Sequence, residues 1–231
     1  MRLLIIVPAY NEEKTIAALL GRIAGVDLSC LGVSGEVVVV DDGSTDRTAD
    51  IVRREFPQVN LLCSGTRRGK GAAVLSALKG STADIMIVQD ADLEYDPADY
   101  PRLLEPVVTG KAQVVYGSRF LRSRYPVKML FMNYLGNLCG TTAVNLLYGA
   151  RLTDLMTCYK VVPVELMKEL GVEAKGFDIC PELTAKLLKR RVAICEVPIA
   201  YKGRSKREGK KIVFRDSLYI LRALLQCRLR N

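Results

Sequence analysis

Glu36-Val37-Val38-Val39-Val40-Asp41-Asp42-Gly43-Ser44-Thr45-Asp46 is an apolar run that ends abruptly in carboxylates and turn residues. Four consecutive valines do not alternate with polar residues, so they suit a strand buried on both faces of a mainly parallel sheet. Asp, Gly and Ser then stop the strand, and Ser44-Thr45 before Asp46 predicts a capped helix start. The same grammar extends outward from this stretch. Strands are predicted at 3–8, 36–41, 59–63, 84–89 and 113–117, with helices between them at 12–23, 46–55 and 71–78. Strand–helix alternation of this kind predicts an α/β fold with right-handed crossovers. It also places a ligand crevice at the C-terminal strand ends.

Three motifs stand at such ends: Val7-Pro8-Ala9-Tyr10-Asn11-Glu12, the Asp41-Asp42 turn, and Gln89-Asp90-Ala91-Asp92-Leu93-Glu94. They should therefore converge. Asp90 and Asp92 form a DxD, two carboxylates able to bracket Mg²⁺ or Mn²⁺, with Glu94 as a further oxygen donor; substrate phosphates commonly complete such a site. Arg67-Arg68-Gly69-Lys70-Gly71 lacks phosphate-loop spacing, although a glycine-flanked lysine opening a helix can approach a phosphate.

Apolar residues make up 49% of the 231, enough for a sizeable core. Seven scattered cysteines and no histidine speak against zinc and against a disulfide framework. The net charge is +9, and residues 201–231 hold ten basic and two acidic residues. Such a tail suits phosphate ligands or an anionic membrane surface. Nucleic acid explains the tail but not the DxD, and Tyr201, Phe214 and Tyr219 lack the spacing of a stacking platform.

Downstream the alternation fades. Arg119, Arg122, Arg124 and Lys128 precede an uncharged helix predicted over 129–150. Asn133, Asn137, Thr141 and Asn145 run along one side of it, a pattern that suits an interfacial or half-buried helix. A short apolar segment at 158–162, a helix at 181–190, a strand at 192–198, a charged loop at 202–211 and a last helix from about 212 follow. Phe214, Leu218, Leu221 and Leu225 share a face of that last helix. It reads equally as a membrane-surface helix or as one packed on the sheet.

Taken in order and spacing, Pro8–Glu12, Val40–Asp46, Asp90–Glu94, Gly117–Phe120, Thr153–Val161 and Arg204–Lys211 resemble family 2 glycosyltransferases of the GT-A fold. The similarity is greatest to dolichol-phosphate mannose synthases and polyprenyl-phosphate glycosyltransferases. The resemblance implies one glycosyltransferase domain over 1–231, with a nucleotide-sugar-binding half (1–118) and an acceptor half (119–231) carrying a basic loop and a C-terminal amphipathic helix. It implies that Pro8, Tyr10 and Glu12 hold base and ribose, with Val40 and Asp42 on the other side of that pocket. Asp90, Ala91, Asp92 and Glu94 match the metal and diphosphate site. Arg119 matches the arginine near the transferred sugar and acceptor phosphate, Asp154 an acidic residue near the acceptor, and Arg204 and Lys210 a basic pair over the diphosphate. Glu94 departs from members with a neutral residue there.

The implied reaction moves a hexose, mannose or glucose, from a nucleotide-diphosphate sugar to a polyprenyl phosphate, with inversion. The expected setting is the cytoplasmic inner face of a membrane, held peripherally, and an anchoring partner chain is left open. A phosphate acceptor is largely dianionic at neutral pH, its second pKa being about 6, so it needs little help from a base. A sugar hydroxyl on a glycan or glycolipid is the alternative acceptor; it needs a base, with Asp154 or Asp178 as candidates. Asp178 also reads as a residue at the start of the 181–190 helix. A further alternative is an inactive relative serving as a binding or scaffold subunit, against which the intact DxD, Arg204 and Lys210 argue.

Overall fold

In the computed structural model the described residues are 1–122, 125, 129–204 and 216–229, with nothing stated of the side chains of 216–219. The first half follows the predicted alternation: β1 (Arg2–Ala9), α1 (Ile16–Ala24), β2 (Ser34–Asp41), α2 (Thr48–Glu55), β3 (Asn60–Cys63), α3 (Lys70–Leu78) and β4 (Ile85–Val88). Then come α4 (Tyr100–Val108), β5 (Val114–Ser118), α5 (Phe131–Tyr148), β6 (Lys160–Pro163), α6 (Val164–Glu169), α7 (Ile179–Lys189), β7 (Ile194–Pro198) and α8 (Asp216–Leu229). The strands form one sheet in the order β3-β2-β1-β4-β6-β5-β7. β1 runs parallel to β2 and β4, β2 to β3, and β5 to β7, whereas β6 is antiparallel to both β4 and β5.

Both faces of the central strands β1, β4, β5 and β6 are covered, which is why such strands read as unbroken apolar runs, whereas the edge strand β3 is largely exposed. Leu4, Ile6, Val38 and Val40 point into a core shared with α3, α6 and α7. Their neighbours Leu3, Ile5, Val7 and Val39 point into a second core with α1, α2 and α4. The two faces alternate with the two-residue period of a strand.

Two parallel alignments set the site. Pro8 lies opposite Val40 and Ala9 opposite Asp41, so the first two motifs leave the sheet side by side. On the other side of β1, Ile6 pairs with Val88, which brings the DxD to the same edge. Because β6 is reversed, the segment that precedes it, 153–158, also arrives at this edge.

Several elements differ from the sequence reading. α4 is absent from the sequence reading; it carries Pro101 in its first turn, where no helix donor is lost, and Pro106 inside it, where one is. α6 is too short for a periodic signature. Ser44 is not a helix cap: its hydroxyl accepts from the Asn11 amide, and Asp46 Oδ1 accepts from Thr48 N at the start of α2. In α5 the polar stripe faces inward. Asn137 Oδ1 accepts from Met156 N, Thr141 Oγ1 from Leu155 N, and Asn145 exchanges two bonds with the Leu152 backbone. Among the described side chains of α8, Ile220 and Leu224 are buried, while Leu221 and Leu225 stay exposed; Phe214 and the Leu218 side chain lie outside the described part.

Gly69 and Gly71 fix how α3 starts. Gly69 has φ 100°, and a Cβ there would press on the Lys175 carbonyl oxygen. One on Gly71 would press on that of Ala174. Both contacts are with backbone, which cannot swing aside. Gly71→Ala is therefore expected to destabilise the fold by about 1–3 kcal/mol, measured as a lower midpoint in urea. An unchanged midpoint would show that segment 174–176 yields freely.

Candidate active site

The crevice is a cavity of about 330 Å³. Pro8, Tyr10, Glu12, Asp42, Asp90, Ala91, Asp92, Glu94, Arg119 and Arg204 all line it. Val40 does not: it is 1% exposed and its side chain points into the core. Asp154 is fully buried behind Arg119. Lys210, with Arg124 and Lys128, lies outside the described residues.

Hydrogen bonds lock the first two motifs together. Asn11 Oδ1 accepts from Thr45 N, and Thr48 Oγ1 accepts from Glu12 N. Asn11 takes φ 54°, a region asparagine tolerates better than most residues. Asp42 accepts from the Arg68 and Gly69 amides at 2.7 and 2.8 Å, so its carboxylate fastens the 66–70 loop to the sheet edge. That loop lays the Arg67 guanidinium 4.3 Å from the centre of the Tyr10 ring.

Each carboxylate of the DxD has its own cation. Lys70, the first residue of α3, donates to Asp90 Oδ1 and to Cys158 Sγ. Burial works against the Lys70 charge, but Asp90 outweighs it and keeps the lysine pKa well above its usual value. Asp92 Oδ2 accepts from Arg204 Nη2 at 2.9 Å, and Asp92 Oδ1 from Glu94 N. Leu93 between them adopts φ 60°, a costly conformation for leucine that turns Asp92 and Glu94 toward the same cation. Burial, then Asp90 and Glu94, push Asp92 up to about 7 despite Arg204.

Arg204 reaches the site because residues 201–204 run beside 94–95. Tyr95 and Tyr201 form a β-bridge, Lys202 N donates to Glu94 O, and Arg204 N donates to Glu94 Oε1. The Arg204 guanidinium also meets Glu12 Oε2 at 3.3 Å. Its Nε is buried without a hydrogen-bond partner.

Arg119 does not pair with Asp92 or Glu94. It forms a fork with Asp154, Nε to Oδ2 and Nη2 to Oδ1, both at 2.7 Å, and its own amide donates to Oδ2. Glu196 on β7 braces this arrangement by accepting from the Thr153 and Asp154 amides. The Arg119 guanidinium lies 5.1 Å from the Tyr201 ring centre, and the Tyr201 hydroxyl donates to Glu94. Tyr201 thus joins the two halves of the site, a role no spacing in the sequence discloses. Gln89 is also buried, accepting from Tyr100 and Tyr159. Asp178 stands at the start of α7 and accepts from Gly176 N, outside the cavity wall.

A divalent cation fits this chemistry. Among the described residues no three ligand side chains form a complete cage. Mg²⁺ or Mn²⁺ held with substrate phosphates needs only one or two carboxylates, and Asp92 with its neighbours supplies them. Arg204 Nε makes no hydrogen bond, its facing carboxylate oxygen, Glu94 Oε1, standing 3.9 Å away; a diphosphate oxygen could complete it.

Comparison with known proteins agrees with this architecture. The family model described as glycosyl transferase family 2 matches residues 4–171. An undecaprenyl-phosphate mannosyltransferase of Micrococcus luteus is 30% identical over 91% of this chain and 87% of its own length. A dolichol-phosphate mannosyltransferase of Pyrococcus furiosus is 28% identical over 92% of this chain, which spans 61% of that protein. A glucosyl-3-phosphoglycerate synthase of Mycobacterium tuberculosis, solved with Mn²⁺, UDP and phosphoglyceric acid, superposes with TM-score 0.73. It is 22% identical and covers 98% of this chain and 78% of its own. That last likeness concerns the GT-A fold. With sheet order, clustered strand-end motifs and family match in agreement, the chain is an enzyme of glycosyl transfer that belongs to glycosyl transferase family 2.

Proposed function

We propose that this enzyme moves a hexose, mannose or glucose, from a nucleotide-diphosphate sugar to a polyprenyl phosphate, with inversion, at the inner face of a membrane. The observation that carries the reading is the Arg119–Asp154 fork at the far side of the DxD crevice. The fork uses Nε and one hydrogen of Nη2 of Arg119, so the other Nη2 hydrogen and Nη1 are left for an acceptor phosphate. The same fork occupies Asp154 and removes it as a base. Asp178 is outside the cavity wall. A sugar hydroxyl would lack both bases the sequence suggests, Asp154 and Asp178, whereas a phosphate dianion needs little help from a base. The mannosyltransferase relatives named above point to the same acceptor class.

On the donor side, Tyr10 and Arg67 offer flat surfaces to a nucleobase, and Asp42 holds their loop in place. Asp92, with Glu94 and Asp90 behind it, would hold Mg²⁺ or Mn²⁺. When bound, that ion supplies positive charge to the leaving diphosphate. Lys70 keeps Asp90 ionised and oriented. Arg204 brings a second cation to the diphosphate; Lys210, outside the described residues, is assigned the same task from the family resemblance alone.

The lipid reading also has a surface. Phe131, Leu138 and Leu146 on α5 and Leu221, Leu225 and Leu229 on α8 are exposed, with Phe131 at 63% and Leu146 at 81%. Met132, Gly136 and Ile220 carry this apolar character into the cavity. No described helix is long and apolar enough to cross a membrane.

The test is acceptor saturation. Arg119→Lys, which loses the fork, is expected to raise the KM for polyprenyl phosphate about tenfold. The KM for nucleotide sugar should move far less, with product read by lipid extraction. Efficient transfer to a phosphate-free polyprenol would reject the reading.

A further inference from the structure

The crevice is acidic, yet the chain already supplies cations to it. Among the described residues Glu12, Asp90, Asp92 and Glu94 line the cavity, and Lys70 and Arg204 are the cations in contact with them. The two cations are held in very different ways. Lys70 opens α3, between two glycines that butt against 174–175, and its side chain is 11% exposed. Its backbone is fixed by those contacts, and its ammonium is nearly enclosed between Asp90 and Cys158. Arg204 ends a short bridge of 201–204 against 94–95. Its guanidinium spreads over three carboxylates at 2.9, 3.3 and 3.9 Å, with Nε lacking a hydrogen-bond partner.

Both oxygens of Asp92 are in use. Oδ1 accepts from the Glu94 amide, which the turn at Leu93 fixes, and Oδ2 accepts from Arg204. A divalent ion coordinated by Oδ2 would meet the guanidinium at contact distance. Two positive groups cannot share that oxygen without strong repulsion.

We infer that Arg204 is an exchangeable counter-ion of the DxD: it neutralises Asp92, Glu12 and Glu94 in the empty enzyme and leaves them when the divalent cation enters. The freed guanidinium then gains the hydrogen bond that its Nε lacks, from the oxygens of the donor diphosphate. Metal alone must compete with Arg204, whereas metal arriving with nucleotide gives Arg204 a new partner. Metal and nucleotide therefore bind with positive coupling, and one side chain carries it. The inference rests on the metal reading above but not on the identity of sugar or acceptor.

The experiment is Mn²⁺ binding to the full chain, followed by electron paramagnetic resonance without and with UDP or GDP. Folding of each variant is checked by circular dichroism. Arg204→Met removes the competing charge and is expected to tighten binding of Mn²⁺ alone at least fivefold. The same substitution is expected to weaken binding of the Mn²⁺–nucleotide pair by a similar factor. Arg204→Lys, which keeps a charge but not the fork, should fall between and serves if the methionine variant does not fold. A residue that merely braced the site would weaken both measurements. Unchanged or weaker binding of Mn²⁺ alone to Arg204→Met overturns the inference. Absence of Mn²⁺ binding to every protein, with or without nucleotide, overturns it together with the metal reading.

Discussion

Asp154→Ala is expected to destabilise the protein by about 3–5 kcal/mol, the usual cost of stripping one partner from a buried ion pair. Asp154 is fully buried and Arg119 is 8% exposed. Burial opposes the guanidinium charge, and the Asp154 carboxylate more than offsets it. Without that carboxylate, Nε, Nη2 and the Arg119 amide lose their acceptors at once. For a chain of this size the loss corresponds to a fall in Tm on the order of 10 °C, measured by calorimetry. The double variant Arg119→Met with Asp154→Leu removes both charges and should regain most of that stability while remaining inactive. A single-variant loss below about 1 kcal/mol would mean that water reaches the guanidinium and that the fork is not closed.

Asp92→Asn should lower kcat by about 10²–10³-fold, the range seen when one electrostatic stabiliser of a developing charge is removed. The fold should not suffer. Asp92 is held at about 7 by burial and by Asp90 and Glu94, above the roughly 3.9 of an exposed aspartate. A raised carboxylate means that the native state keeps a proton the unfolded chain releases, so stability declines as pH rises from about 4 to about 7. Asparagine removes that penalty, and Tm at pH 8 should be unchanged or higher. Full activity of Asp92→Asn, or of the unaltered enzyme in excess chelator, would remove the metal from the mechanism.

How far the sequence spoke for itself depended on whether a feature is local. Strands buried on both faces carry their signature in a few consecutive residues, as Val37 to Val40 do, so the order of the first half was readable. The carboxylates were readable because each follows such a strand. Their partners were not. Arg119 and Asp154 are 35 residues apart, and Lys70 and Asp90 are 20 apart; which cation meets which anion follows from the reversal of β6 and the seat of α3. Asp154, a candidate base by type, is a clamped counter-ion by position. The α5 asparagines were legible as a stripe, but a stripe does not say which way it faces. Their inward turn follows from unpaired amides at 152–156 that only the folded chain presents.

The bridge that carries Arg204 has a consequence for how the protein is made. Arg204 meets Asp92 across 112 residues and Glu12 across 192, and β7 is the last strand to join the sheet. A ribosome adding about 5–20 residues per second finishes the acidic strand ends on the order of ten seconds before their counter-ion emerges. During that interval the nascent chain also lacks the strand that covers the edge of β5, whose five residues are all buried in the finished protein. An uncovered edge of that kind invites pairing with another chain. Transcripts cut short before residue 194 should therefore yield aggregates, and slow translation downstream of β5 should lower the yield of native enzyme.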